Sequence, residues 1–100
     1  QIMQIVFLLR EKFAAERFEF SRHALDQSML RMISVREIRE AIQTAILIED
    51  YPPSCLLLGF TLAARPLHVQ CSYPTRPIVK VITVYEPDPA DWIELRVRKR

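Results

Sequence analysis

The hydrophobic period of this chain changes once, near Ile46, and that change decides which class of fold is open to it. Before it, apolar side chains recur at the spacing of one helix face. Ile2, Ile5, Val6, Leu9 and Phe13 form such a stripe, with Arg10, Glu11, Lys12, Glu16 and Arg17 on the wet side, so residues 2–16 are predicted to be an amphipathic helix. "FEFS", residues 18–21, reads as a short extended link. Ser21 supplies an N-cap for a second helix whose expected inner stripe is Leu25, Met29 and Met32, with His23 in its first turn. Ser34 with Glu37 three residues on is a capping box for a third helix, and Val35, Ile38, Ala41, Ile42 and Ala45 are expected to face inward.

After the change, "ILIEDYPP", "SCLLLGFTL", "RPLHVQCSYP" and "IVKVITVYEPDP" are β-rich runs separated by proline-containing and small-residue breaks. Their short connections predict antiparallel neighbours, because a parallel crossover needs about a dozen residues or more. Residues 92–97, "WIELRV", are read as a last edge strand, with a short helix begun at Asp88 and Asp91 around Pro89 as the alternative. Helices followed by a meander predict an α+β domain, with N-terminal helices packed on one face of an antiparallel β-sheet. The helices are expected at about 2–46 and the sheet at about 47–97, in one domain spanning 1–100. Gly59, inside "LLLGFT", marks a bulge or a close backbone approach.

A chain of 100 residues, half of them apolar, has enough material for one core. Its charge is uneven: residues 1–50 hold 7 Lys/Arg against 8 Asp/Glu, and residues 51–100 hold 7 against 4. The terminal "RVRKR" concentrates the basic character, either steering toward phosphates or keeping a tail solvated. The apolar opening has no basic leader and is too short to cross a bilayer, so neither a signal peptide nor a membrane helix is expected. Cys55 and Cys71 lack zinc-ligand spacing and do not suggest a disulfide scaffold, which fits a reducing cytoplasm and no metal.

The stretch "RPLHVQCSY" alternates, which puts Leu67, Val69 and Cys71 on one strand face and His68, Gln70 and Ser72 on the other. His68 therefore belongs to the face away from the helices, where it is expected in an open groove with Tyr85 and with Arg65 nearby. Taken together, "FSRHALDQSMLRMISVREIREAI", "IEDYPPSCLLLGFT", "RPLHVQCSY" and "VITVYEPDPADW" resemble, in order and spacing, the bacterial family called domain of unknown function 4258. The pattern also looks like the toxin MqsR and, more distantly, the RelE-type messenger-RNA interferases. Gln27 departs from the family, which usually has Arg there, and Met32 and Ala64 stand where it tends to have Gly.

This resemblance implies a RelE/MqsR-like fold and a cytoplasmic toxin of a type II toxin–antitoxin pair. The expected activity is endoribonuclease, without metal or other cofactor. The implied partners are RNA and a cognate zinc-finger, helix-turn-helix antitoxin; a homodimer is compatible with it, and a membrane is not a partner. Metal-independent RNA cleavage needs a base for the 2′-hydroxyl, an acid for the leaving 5′-oxygen and cations around the phosphorane. The candidates are His68, His23 and Tyr85 for proton transfer, and Arg65, Arg22, Arg96 and Arg98 for phosphate. The alternative is a non-catalytic protein-binding module of the same fold. Trp92 either stacks on a base or plugs a core edge, and Cys55 and Cys71 are core residues rather than nucleophiles.

Overall fold

Both predicted caps form. In this computed structural model, Ser21 Oγ accepts from Ala24 N–H at the start of α2 (Arg22–Leu30). Ser34 and Glu37 exchange reciprocal hydrogen bonds at the start of α3 (Val35–Gln43). With α1 (Ile2–Ala14) these are the three expected helices, in a structure that describes the backbone of residues 2–100 and the side chains of residues 4–100. Val6, Leu9 and Phe13 bury the inner face of α1, and the side chain of Ile2 lies outside the described residues.

The strands are β1 (Phe18–Phe20), β2 (Ile46–Tyr51), β3 (Ser54–Phe60), β4 (Pro66–Ser72) and β5 (Val79–Tyr85), in the spatial order β1-β5-β4-β3-β2. The four long ones are antiparallel neighbours, as short connections require. Their core face carries Cys55, Leu57, Leu67, Val69, Cys71, Val79, Val81 and Val84 against the helices. The glycine in β3 marks a close approach: a Cβ on Gly59 would lie 1.9 Å from the carbonyl oxygen of Ala41 in α3. Cys55 and Cys71 sit opposite each other in register and are fully buried. Their mutual hydrogen bond, with burial added, holds the Cys71 thiol well above its ordinary pKa and therefore protonated.

Three expectations change. The "FEFS" link contains a true strand, β1, which pairs in parallel with β5 and makes the sheet mixed. More than half of the chain separates those two strands, so the argument from short connections never applied to them.

The inner face of α2 is Ala24 and Ser28, while Leu25, Met29 and Met32 are exposed at 48%, 71% and 83%. The reason is where the helix sits. β1 covers only residues 79–81 of β5, and α2 lies along the bare edge beyond it, with Ser21 Oγ donating to the carbonyl of Ile82 and Arg31 to that of Val84. Small side chains allow that close seat. Val35, on α3, is likewise exposed rather than inward.

The third change concerns residues 92–97. They do not add a strand to the main sheet but fold into a hairpin of β6 (Trp92–Ile93) and β7 (Val97–Arg98). Glu94 and Leu95 reverse the chain with φ of 51° and 63°, the left-handed pair at the centre of a turn that the Arg96 N–H closes onto the Ile93 carbonyl, in a loop of three residues between the paired Ile93 and Val97.

Candidate functional site

The face of the sheet turned away from the helices carries His68 and Gln70 from β4 opposite Tyr85 and Thr83 from β5, and the register shifts just beyond Gln70, so that Val81 and Val84 both lie in the core. Alternation along β4 placed His68 on this face; along β5 it groups Tyr85 with Thr83 and Val81, and the register shift turns Val81 to the core while Thr83 and Tyr85 stay beside Gln70 and His68. Alternation did not foresee the cover: His68 has no exposed surface, because the C-terminal hairpin lies over it. The expected open groove is thus closed directly above the imidazole. Trp92 meets the ring edge-on with centroids 4.4 Å apart, and Leu56 and Leu58 on the same sheet face are also buried.

The hydrogen bonds of His68 fix its tautomer. The carbonyl of Leu95 lies 2.7 Å from Nε2 and can only accept, so Nε2 carries the proton. Nδ1 is then a lone pair that accepts from the Tyr85 hydroxyl at 3.1 Å. Burial lowers the His68 pKa, partly offset by the Leu95 carbonyl, and burial raises that of Tyr85. Both groups are neutral near pH 7. The phenolic proton points at an imidazole nitrogen able to take it.

The hairpin is clamped by Arg98, whose Nε and Nη2 reach the two carboxylate oxygens of Glu49 at 3.0 and 3.3 Å and whose guanidinium stacks over Trp92 at 4.6 Å. That carboxylate raises the pKa of Arg98, which stays charged. The clamp commits Arg98 to Glu49 rather than to a free phosphate. Arg96 is exposed on the hairpin, and Arg22 is exposed at the start of α2.

His23 reaches the same sheet face from the other end. Its Nε2 is 3.4 Å from Thr83 Oγ1, and Thr83 precedes Tyr85 by two residues on one strand face, a step of about 7 Å. His23, Gln27 and Arg31 recur at four-residue spacing and so share one stripe of α2. At its far end the Arg31 guanidinium lies 5.9 Å from the Tyr85 ring centroid and donates to the Val84 carbonyl at 3.1 Å.

Arg65 takes no part in this face. It donates to Glu86 at 2.8 Å, to Glu37 at 3.1 Å and to the carbonyls of Met32 and Arg31 at 3.0 and 3.1 Å. The expectation of a phosphate ligand at Arg65 is replaced by that of a junction tying the end of α2 to α3 and to the exit of β5. Arg31 was absent from the sequence-derived candidates. Its signal was the His23–Gln27–Arg31 spacing, legible only once that stripe, rather than Leu25–Met29–Met32, is known to follow the sheet.

Among the described residues no three His, Cys, Asp or Glu side chains converge on a metal site, and no helix is long and apolar enough to cross a membrane. In comparison with known proteins, the family described as "Domain of unknown function (DUF4258)" matches residues 20–86. The chain belongs to this family. No curated protein and no solved structure matches it. His23, Arg31, His68 and Tyr85 lie inside the DUF4258 segment, whereas Trp92, Leu95, Arg98 and Lys99 follow its end.

Proposed function

We propose that the protein is a metal-independent endoribonuclease of the toxin type, a RelE/MqsR-like member of a toxin–antitoxin pair. The observation that carries this reading is the pairing of two proton-transfer groups on one sheet face: Tyr85, hydrogen-bonded to His68, and His23 one two-residue step along β5. Cleavage by the neighbouring 2′-hydroxyl forms a bond from that oxygen to phosphorus and breaks the bond to the 5′-oxygen. Tyr85 accepts the 2′-hydroxyl proton as its own passes to Nδ1 of His68, and the Leu95 carbonyl steadies the resulting imidazolium through Nε2–H. His23 in its protonated form gives a proton to the leaving 5′-oxygen. The products are a 2′,3′-cyclic phosphate and a 5′-hydroxyl.

The reading is tested with purified protein and single-stranded RNA in EDTA, with end-group analysis of the products. Tyr85→Phe and His23→Gln should each lower the rate by on the order of 10²–10⁴. A second reading, a non-catalytic protein-binding module, draws on the apolar side chains that α2 and the turn after it leave in solvent: Met29 at 71%, Leu30 at 78% and Met32 at 83%. It takes over if the wild-type chain neither cuts RNA nor arrests growth when expressed alone. A zinc-finger, helix-turn-helix protein encoded next door would support the toxin reading.

A further inference from the structure

Between the end of α2 and the C-terminal hairpin runs a groove of about 480 Å³, lined by Arg31, Tyr85, Ala90, Asp91, Trp92, Arg98 and Lys99. We infer that this groove is a binding site for the phosphate of a nucleotide unit, with Arg31 and Lys99 as its ligands. The inference rests on the RNA-cleavage reading for the source of that nucleotide, but the site itself stands on its own geometry.

Three observations support it. The size is that of a small-ligand pocket. Of the three cations that line the groove, Arg98 is paired with a carboxylate, whereas Arg31 and Lys99 make no such pair among the described residues. Arg31 is also held in place without being used up: one N–H donates to the Val84 carbonyl, its guanidinium lies against Tyr85, and its remaining donors meet no protein acceptor among the described residues. An arginine fixed in this way loses little freedom when it takes a phosphate.

Arg98 shapes the groove rather than filling it. Its clamp on Glu49 and its stack on Trp92 seat the hairpin, so the wall that carries Lys99 depends on them. The Asp91 carboxylate on the same wall opposes an anion and limits the affinity, which makes its removal a diagnostic change.

Trp92 is the only tryptophan, lies in the groove wall and is 5% exposed, so its fluorescence reports occupancy. The full-length protein is titrated with inorganic phosphate, adenosine 5′-monophosphate and a 2′-deoxy oligonucleotide, which keeps the phosphates but cannot be cleaved by a 2′-hydroxyl. Binding of the oligonucleotide well above the monophosphate identifies a strand as the source; equal binding identifies a free nucleotide. Arg31→Ala should weaken binding about tenfold or more, the scale of a charge-assisted hydrogen bond. Lys99→Ala should weaken it about threefold and Asp91→Asn tighten it about threefold, as single exposed charges do. Lys99 is exposed, so its variant keeps the fold even where Arg31→Ala, which also loses the Val84 bond, does not.

Silence of Trp92 toward all three probes, or binding indifferent to both Arg31→Ala and Lys99→Ala, overturns the site. Binding that depends on these residues without RNA cleavage leaves the site standing and removes the catalytic reading. Cleavage that ignores both variants does the reverse.

Discussion

His68 holds two hydrogen bonds that only a neutral imidazole makes in this arrangement, donating from Nε2 to Leu95 and accepting at Nδ1 from Tyr85. Burial depresses its pKa below the ordinary 6.5, so on acidification the unfolded chain binds a proton before the folded one does. The stability this contributes is complete above pH 6.5 and is lost as pH falls through the lower folded value. Glu37 acts in the same direction but later: its pKa lies below 4.5, chiefly because it accepts from the Ser34 backbone N–H. Denaturant midpoints should therefore decline between pH 6.5 and 4.5 in the wild type and stay flatter in His68→Gln; equal slopes would show that His68 is not buried neutral. Arg65 makes a contrasting case. Its four acceptors are all protein groups and its side chain is 27% exposed, so Arg65→Ala should cost about 1–3 kcal/mol of stability. Denaturation would measure that loss, and an unchanged midpoint would return Arg65 to the pool of free cations.

Helices α2 and α3 show what local sequence can and cannot say about elements. Capping is local chemistry, so Ser21, Ser34 and Glu37 were readable without the fold. Which stripe of α2 faces inward is not local: Leu25–Met29–Met32 and Ala24–Ser28 both have helical spacing, and the seat on the bare edge of β5 selects the small pair. β1 escaped notice for a related reason, since a three-residue strand owes its existence to a partner at the other end of the chain. The turns carry a testable strain. Met32 and Ala64 adopt φ of 53° and 67°, values that suit glycine, and both side chains are exposed. Met32→Gly and Ala64→Gly should each stabilise the protein by about 1 kcal/mol, the relief of left-handed strain less the extra freedom of the unfolded chain. Thermal melts would check this, and destabilisation by either change would mean that its side chain contributes contacts the exposure does not suggest.

At the scale of the whole molecule, the helices build the core on one sheet face, and His68, Gln70, Thr83 and Tyr85 collect on the other. The meander that makes β4 and β5 neighbours was legible from their short connection, and the face of His68 from alternation, whereas the register shift that separates Tyr85 from Val81 was not. The hairpin that covers His68 was not, because its reversal needs Glu94 and Leu95 in a conformation their residue types disfavour. That same hairpin brings Trp92, Arg98 and Lys99 to a groove whose opposite side is Arg31, so the basic end of the chain becomes one wall of a groove rather than a free tail. The central claim is that Tyr85, backed by His68, and His23 form an acid–base pair for RNA cleavage. The most direct measurement is the rate of single-stranded RNA cleavage in EDTA for wild type, Tyr85→Phe and His23→Gln, with each variant shown to be folded. The account predicts cyclic-phosphate products from the wild type and losses on the order of 10²–10⁴ in both variants. Wild-type cleavage that survives both substitutions, or a wild type that leaves RNA intact, would contradict it.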